Sequence, residues 1–372
     1  MAINEIILSI LSFFILLGAL DYSIGNRFGL GKAFLDGIMS MGQITLAMVG
    51  IISLAPLLAT VLVPFITPVY VAIGADPASF ANTILALDMG GYALAQEMGL
   101  DEDAALFSWV FLGTMLGPTI VFTIPIALRM VEQQHTGAFA KGMLIGISTI
   151  PLGCFIGGIA AGFDVSMILR NLLIPSLFSL LVICFLAFKP ELSVKLFLLF
   201  GKSIQIIGAL GLALAAVHHL TDFTLLVGMA PFEEGLAIVG TIAVVLAGAF
   251  PFVAFLTKTV HPLFDKLGKI SCLDGKAIAA IVSSLAHAIP AFVLMKEMSR
   301  RSQVVTMAFI VSGAFVLGGH FGFVASMNQE MVVPMMIGKL TGGMSAVLIA
   351  AFVEKAKYPQ APILEDKKTD AR

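Results

Sequence analysis

The chain has 372 residues, of which 59% are hydrophobic and 12% charged, about half the charge of an average soluble domain. A soluble protein of this length has no interior large enough to hide that much apolar surface, and a net charge of −2 marks no nucleic-acid partner. Cys154, Cys184 and Cys272 stand far apart, with no CxxC or Cys/His spacing, so neither a metal site nor a disulfide framework is supported.

Apolar runs of about 20 residues recur from end to end, each long enough to cross a bilayer core as a helix. The first lies at about 3–20; Glu5 precedes it and no basic stretch does, so it reads as a retained span, not a cleaved signal peptide. The next run at about 37–62, 77–97, 104–128, 139–162 and 165–188. They are followed by 194–217, 235–257, 276–295, 303–327 and 331–353. The tail after Ala356 is charged and polar. No loop has room for a soluble domain.

Basic residues orient the chain. Arg27 and Lys32 follow the first segment, and Arg129 and Lys141 bracket the fourth loop. Lys189 and Lys195 lie in the sixth, Lys258, Lys266, Lys269 and Lys276 in the eighth, and Lys296, Arg300 and Arg301 in the ninth. Loops around Asp76, Glu97–Asp103, Asp164 and Thr221–Glu234 are acidic or neutral. Short basic loops stay cytoplasmic. If every segment crossed, the two basic flanks of 276–295 would face opposite sides, and so would the two acidic flanks of 77–97. Re-entry of both segments removes both conflicts. Each has a breaker at its centre, Asp88-Met89-Gly90-Gly91 in one and Ala288-Ile289-Pro290 in the other. Unwound backbone at that depth is tolerated inside protein or beside a water cavity.

These two segments also occupy matching places in an internal repeat. At a constant offset Gly37 falls on Gly235, Gly42 on Gly240, Gly50 on Gly248, Pro64 on Pro262 and Asp76 on Asp274. After a short insertion Gly117 falls on Gly318 and Phe122 on Phe323. With about nine crossings and two re-entrant hairpins, an odd number of crossings separates equivalent points, so the repeats are inverted. The expected fold is an all-α polytopic membrane protein of inverted-repeat transporter type. It forms one transmembrane domain over 1–356, with repeat one at about 1–162, a linking helix at about 165–188, repeat two at about 194–353 and a cytoplasmic tail at 357–372. The plainer alternative is eleven kinked spans.

Asp88 is the sharpest chemical signal. A carboxylate deep in a span costs several kcal/mol on most scales, about 3 on insertion scales, and no basic residue stands near it in sequence, although Lys202 or Lys339 could reach it in the fold. A helix-capping role is the alternative. Tyr92 lies one turn on. His287 is one position from the place that matches Asp88 in repeat two. His320 follows Gly318-Gly319, at the place that matches Thr119 after Gly117-Pro118. Gln43, Thr45, Asn82, Thr83, Ser283 and Ser284 lie inside spans and are expected to bond across helices. Gly113-xxx-Gly117, Gly153-xxx-Gly157, Gly158-xxx-Gly162 and Gly338-xxx-Gly342 are expected to let helices approach closely. His218, His219, Asp222, Glu233 and Glu234 form an outer cluster, read as a solvated face or an acidic vestibule for cations. The chain has no P-loop, no GxGxxG after a strand, no HExxH and no GxSxG. An intramembrane aspartyl protease would need a second deep acid. The residues therefore point to a transporter of a small polar, cationic solute and not to an enzyme.

The blocks Ala47-Met-Val-Gly50 with Leu54-Ala-Pro56, Leu87-Asp-Met-Gly-Gly91, Met115-Leu-Gly-Pro-Thr-Ile-Val-Phe122 and Pro334-Met-Met-Ile-Gly-Lys-Leu-Thr-Gly-Gly343 resemble the ethanolamine-utilisation transporter family, EutH, over nearly the whole chain. The resemblance implies a bacterial inner-membrane importer of ethanolamine; the chain is expected to be multi-pass with a cytoplasmic C-terminus, and no cofactor is expected. Ethanolamine is mostly an ammonium at neutral pH, so it needs a counter-charge, acceptors and an aromatic face. Asp88, Tyr92, Thr119, His287, His320 and Gln43 are the expected substrate-binding set. Besides the lipid bilayer, the expected partner is the amine itself; a homodimer is common among carriers with scaffold helices. The alternatives are a sodium- or proton-coupled carrier of another small solute, nucleoside-like in its hairpins, and an amine-binding membrane sensor or scaffold.

Overall fold

In a computed structural model the chain is described over residues 3–271 and 273–357. Cys272 and the tail past Lys357 lie outside the described residues, as do the side chains of Lys266 and Lys269. The described residues are helical and contain no strand. Among the described residues, eight helices are long and apolar enough to span a membrane. They are α1 (Ile3–Ser23), α2 (Leu30–Ala72), α5 (Glu102–Met130), α6 (Thr136–Ala160), α7 (Val165–Phe188), α8 (Pro190–Thr221), α9 (Phe232–Ser271) and α14 (Val332–Lys357). Between them lie two pairs of short helices, α3 (Ala78–Thr83) with α4 (Gly91–Met98) and α10 (Gly275–Ser284) with α11 (Ile289–Leu294). A broken helix follows the second pair, α12 (Arg300–Gly313) and α13 (Gly319–Met327).

Helices overrun several apolar segments. The segment expected at about 37–62 is the middle of a 43-residue helix, about 65 Å long at 1.5 Å per residue. The basic stretch after Lys258, expected as a loop, stays helical to Ser271. Charged Lys and Glu are as good helix formers as Leu, so an apolar boundary is not a helix boundary. True ends carry caps: Asp164 accepts from the N–H groups of Ser166 and Met167 at the start of α7. Hydrogen bonding to Ser166 holds that carboxyl below its ordinary pKa.

Burial sorts the helices. Side chains such as Phe13 and Leu16 on α1, Leu177 and Leu181 on α7, and Leu199 and Leu210 on α8 are exposed, which suits a face against lipid. The most enclosed span is α5, whose Phe107, Trp109 and Phe111 are fully buried. It contacts α6, α12 and α14. Close helix approach is the role of most GxxxG pairs: Gly153 and Gly157 on α6 meet Gly338 and Gly342 on α14 backbone to backbone. Gly162 is different. It has φ +81° with nothing near it, so it ends α6 as a left-handed turn residue and packs against no helix.

The two short pairs have matching frames. In the first, Asp76 accepts from the N–H groups of Ala78, Leu100 and Asp101, which ties the start of α3 to the residues just after α4. Burial pushes this carboxyl pKa up, against the pull of those bonds. In the second, Asp274 accepts from the Ser299 N–H at 2.6 Å, and Lys276 pairs with Glu297. Each pair thus ends beside its own start. Asp101 and Ser299, which the repeat aligns, both cap the helix that follows.

Candidate functional site

The breaks of the two pairs face one cavity. Ala86 and Asp88 have positive φ, +45° and +56°, a conformation that costs an L residue about 1–2 kcal/mol. α3 stops at Thr83, and a turn at Asp88–Gly90 leads into α4. The turn lies on the small face of α5: a methyl group on Gly117 would come within 2.8 Å of the Asp88 N and Cα. The second break copies this arrangement. A methyl group on Gly318 would reach to 1.9 Å from the Ala286 carbonyl oxygen, and Ala286 is the residue that the repeat aligns with Asp88. Here the neighbouring helix is itself unwound from Ala314 to Gly318, with Phe315 at φ +63°. The N–H groups of Phe315 and Leu317 donate to the carbonyls of Ser284 and Leu285, which α10 leaves free at its end.

Between the breaks is a cavity of about 130 Å³. Ser40, Gln43, Ile44 and Ala47 of α2 form one wall, and Leu246 and Phe250 of α9 another. Asp88 and Met89, Phe122 of α5, His287, and Phe315, Gly319 and His320 close it. Repeat-equivalent elements thus contribute from both halves. His320 Nε2 lies 3.3 Å from Asp88 Oδ1, and its buried Nδ1 has no hydrogen-bond partner among the described residues. The His287 Nδ1 accepts from the Ile289 N–H at 3.3 Å. Phe315 bridges the two imidazoles, with ring centroids 5.3 Å from His287 and 5.1 Å from His320. Phe122 stands edge-on to Phe315 at 5.4 Å.

Of the expected set, Asp88, His287, His320 and Gln43 line this cavity. Tyr92 and Thr119 do not. Tyr92 packs edge-on against Trp109 at 5.2 Å and Phe323 at 6.1 Å. The Thr119 hydroxyl donates to the Met115 carbonyl and also lies 3.2 Å from that of Val311. Val311 has lost its regular partner, because the Phe315 N–H is turned to Ser284. Thr119 therefore closes a gap in broken backbone. Among the other intramembrane polar residues, Asn82 bonds across helices to Ser108, whereas Thr45, Ser283 and Ser284 bond back to their own helix. In the outer cluster His219 bonds Glu233 and His218 bonds Thr224.

Sequence reasoning missed Ser40, Met89, Phe250 and above all Phe122 and Phe315. Phe122 ends a block that the repeat had already singled out, but an apolar residue in an apolar helix carries no sign of what it faces. Carboxylate, imidazoles and two phenyl faces around one small volume suit a small organic cation with a hydroxyl.

A family model described as "Ethanolamine utilisation protein, EutH" matches residues 3–353. A Bacillus subtilis protein, "Uncharacterized protein YxeR", is 53% identical over 357 residues, covering 96% of each chain. The "Probable ethanolamine permease EutH" of Listeria monocytogenes is 50% identical over 353 residues, covering 95% of each. The protein of the same name from Escherichia coli is 40% identical over 388 aligned positions, covering 94% of this chain and 95% of its own. No solved structure matches the chain. Family model and relatives agree over nearly the full length: the chain belongs to the EutH family of ethanolamine-utilisation proteins.

Proposed function

We propose that this chain is a bacterial inner-membrane transporter that imports ethanolamine as its ammonium form through the cavity between the two breaks. The observation that carries the proposal is the Asp88 carboxylate on the wall of a cavity built from both repeats and faced by Phe122 and Phe315. The names of the relatives, permeases of ethanolamine and not enzymes, supply the substrate. Asp88 holds the ammonium, the phenyl faces cover its other side, and His287, His320 and Gln43 offer partners to the hydroxyl.

The same proposal includes the membrane arrangement. The helix pairs at 78–98 and 275–297 are re-entrant hairpins, and α12 with α13 makes a ninth, broken crossing. The repeats, about 1–162 and 194–353, are inverted, with the helix at about 165–188 linking them and the C-terminus in the cytoplasm. Support comes from the return of each pair to its own start through Asp76 and Asp274. Movement of one repeat against the other would open the cavity to each side in turn.

Uptake of labelled ethanolamine into proteoliposomes tests the function. Uptake that saturates and falls with Asp88→Asn is expected. Binding without uptake would favour a sensor or scaffold instead, and uptake that needs an imposed sodium or proton gradient would favour a coupled carrier. Cysteines placed at the exposed positions Lys276 and Lys296 test the topology, since labelling from opposite sides of the membrane would overturn the re-entrant arrangement.

A further inference from the structure

Lys339 is a buried lysine that the proposed function does not use. It is 1% exposed and lies on α14, about two turns past the start of that helix. Its Nζ donates to the Thr114 carbonyl of α5 at 2.6 Å. That carbonyl is free for a local reason: its regular helical donor would be the N–H of Pro118, and proline has none. One carbonyl uses one of the ammonium's three protons, and a fully buried cation with a single neutral partner is costly. Asp88, His320 and Cys154 act on it electrostatically, and among the described residues no carboxylate lies within ion-pair distance of its Nζ. Thr114 sits between Gly113 and Gly117, the two glycines against which the Asp88 backbone packs. The Lys339 ammonium group and the Asp88 backbone therefore approach the same short stretch of α5.

We propose that Lys339 is the built-in counter-cation of Asp88: it neutralises the carboxylate while the cavity is empty, and the substrate ammonium must share Asp88 with it. The carrier then never exposes an unpaired buried charge between loading events, and the resident cation weakens the hold on the substrate, so that release is not slow. The part that concerns the substrate rests on the transport proposal; the pairing of the two residues does not.

Thermal unfolding in detergent without amine separates a counter-ion from a carbonyl cap. Lys339→Gln is expected to destabilise, and the loss is expected to shrink when Asp88→Asn is added, a coupling that independent sites do not show. Pro118→Ala supplies an N–H for the Thr114 carbonyl. If Pro118→Ala relieves the loss and Asp88→Asn does not, Lys339 is a cap and the proposal is overturned. Relief by neither, including failure of both double variants to fold, overturns it as well. The second arm is ethanolamine binding. Lys339→Gln, or Lys339→Gln with Pro118→Ala if the single variant is too unstable, is expected to bind about tenfold more tightly, the size of effect that a nearby like charge exerts. Unchanged affinity alongside clear coupling would keep the pairing and remove the competition with substrate.

Discussion

The two helix pairs share a frame but differ in what they carry. Asp76 and Asp274 each accept from the returning chain, and Gly117 and Gly318 each admit the break of the neighbouring pair. At the aligned tips the first pair has Asp88 and the second Ala286. Beside the first, α5 stays continuous, loosened by π turns at Ser108–Leu112 and Thr119–Thr123. Beside the second, the helix is open between Gly313 and Gly319, and its N–H groups are bonded to the other break. One half thus holds the charge, and the other joins two breaks by backbone bonds. The two frames share backbone geometry while their side chains differ.

That contrast can be broken at several points. The largest effect is expected from Gly318→Ala, whose new methyl group would meet backbone, which cannot swing aside. Overpacking costs about 1–3 kcal/mol, and this site should lie at the top of that range. Gly117→Ala meets backbone at a longer distance and should cost less. Thermal unfolding of the two variants in detergent checks the order, and equal losses would contradict tighter packing at the second break.

Asp88→Asn comes next. It keeps shape and turn-forming ability and removes the charge. Loss of a charge-assisted bond is worth about 1.5–3 kcal/mol, so ethanolamine binding should weaken about 10- to 100-fold while the variant purifies as a folded species. Native affinity, measured by calorimetry, would remove Asp88 from the site.

The frames themselves can be compared. Asp76 uses both carboxylate oxygens as acceptors, and an asparagine offers one. Asp76→Asn should cost about 1–3 kcal/mol through N–H groups left unpaired. Asp274→Asn can keep an acceptor for Ser299 and should cost less, again by thermal unfolding.

Smaller effects are expected at the cavity rings. Phe122→Leu and Phe315→Leu remove a cation–π face worth about 0.5–2 kcal/mol, and should weaken ethanolamine binding by a few- to about thirtyfold without affecting a neutral isostere. Tyr92→Phe should change binding least, within about 0.5 kcal/mol, because that hydroxyl is not on the cavity wall.

How much of this was legible in the residues depends on what each signal encodes. The centres of the spans follow from apolar runs, because lipid demands them. The breaks at 84–90 and 285–288 could be read from glycine, proline and polar residues where a span should be uniform. Asp88, His287 and His320 stood out because ionisable side chains are costly inside a membrane. Helix ends such as those of α2 and α9 were less legible, since charged residues continue a helix as well as apolar ones.

By itself, then, the sequence determined a helical membrane chain and the polar residues its spans contain. These are local properties, set by solvent preference and by backbone chemistry at single positions. The tertiary structure decided which of them meet. Phe122 and Phe315 come from distant parts of the chain, and nothing in an apolar residue's neighbours says whether it faces lipid, core or cavity. Thr119 looked like a ligand until the unpaired Val311 carbonyl beside it was visible, and Lys339 reached Asp88's surroundings across more than half the chain. Contacts of that kind depend on how helices pack, and packing is a property of pairs of surfaces that no single stretch of sequence carries.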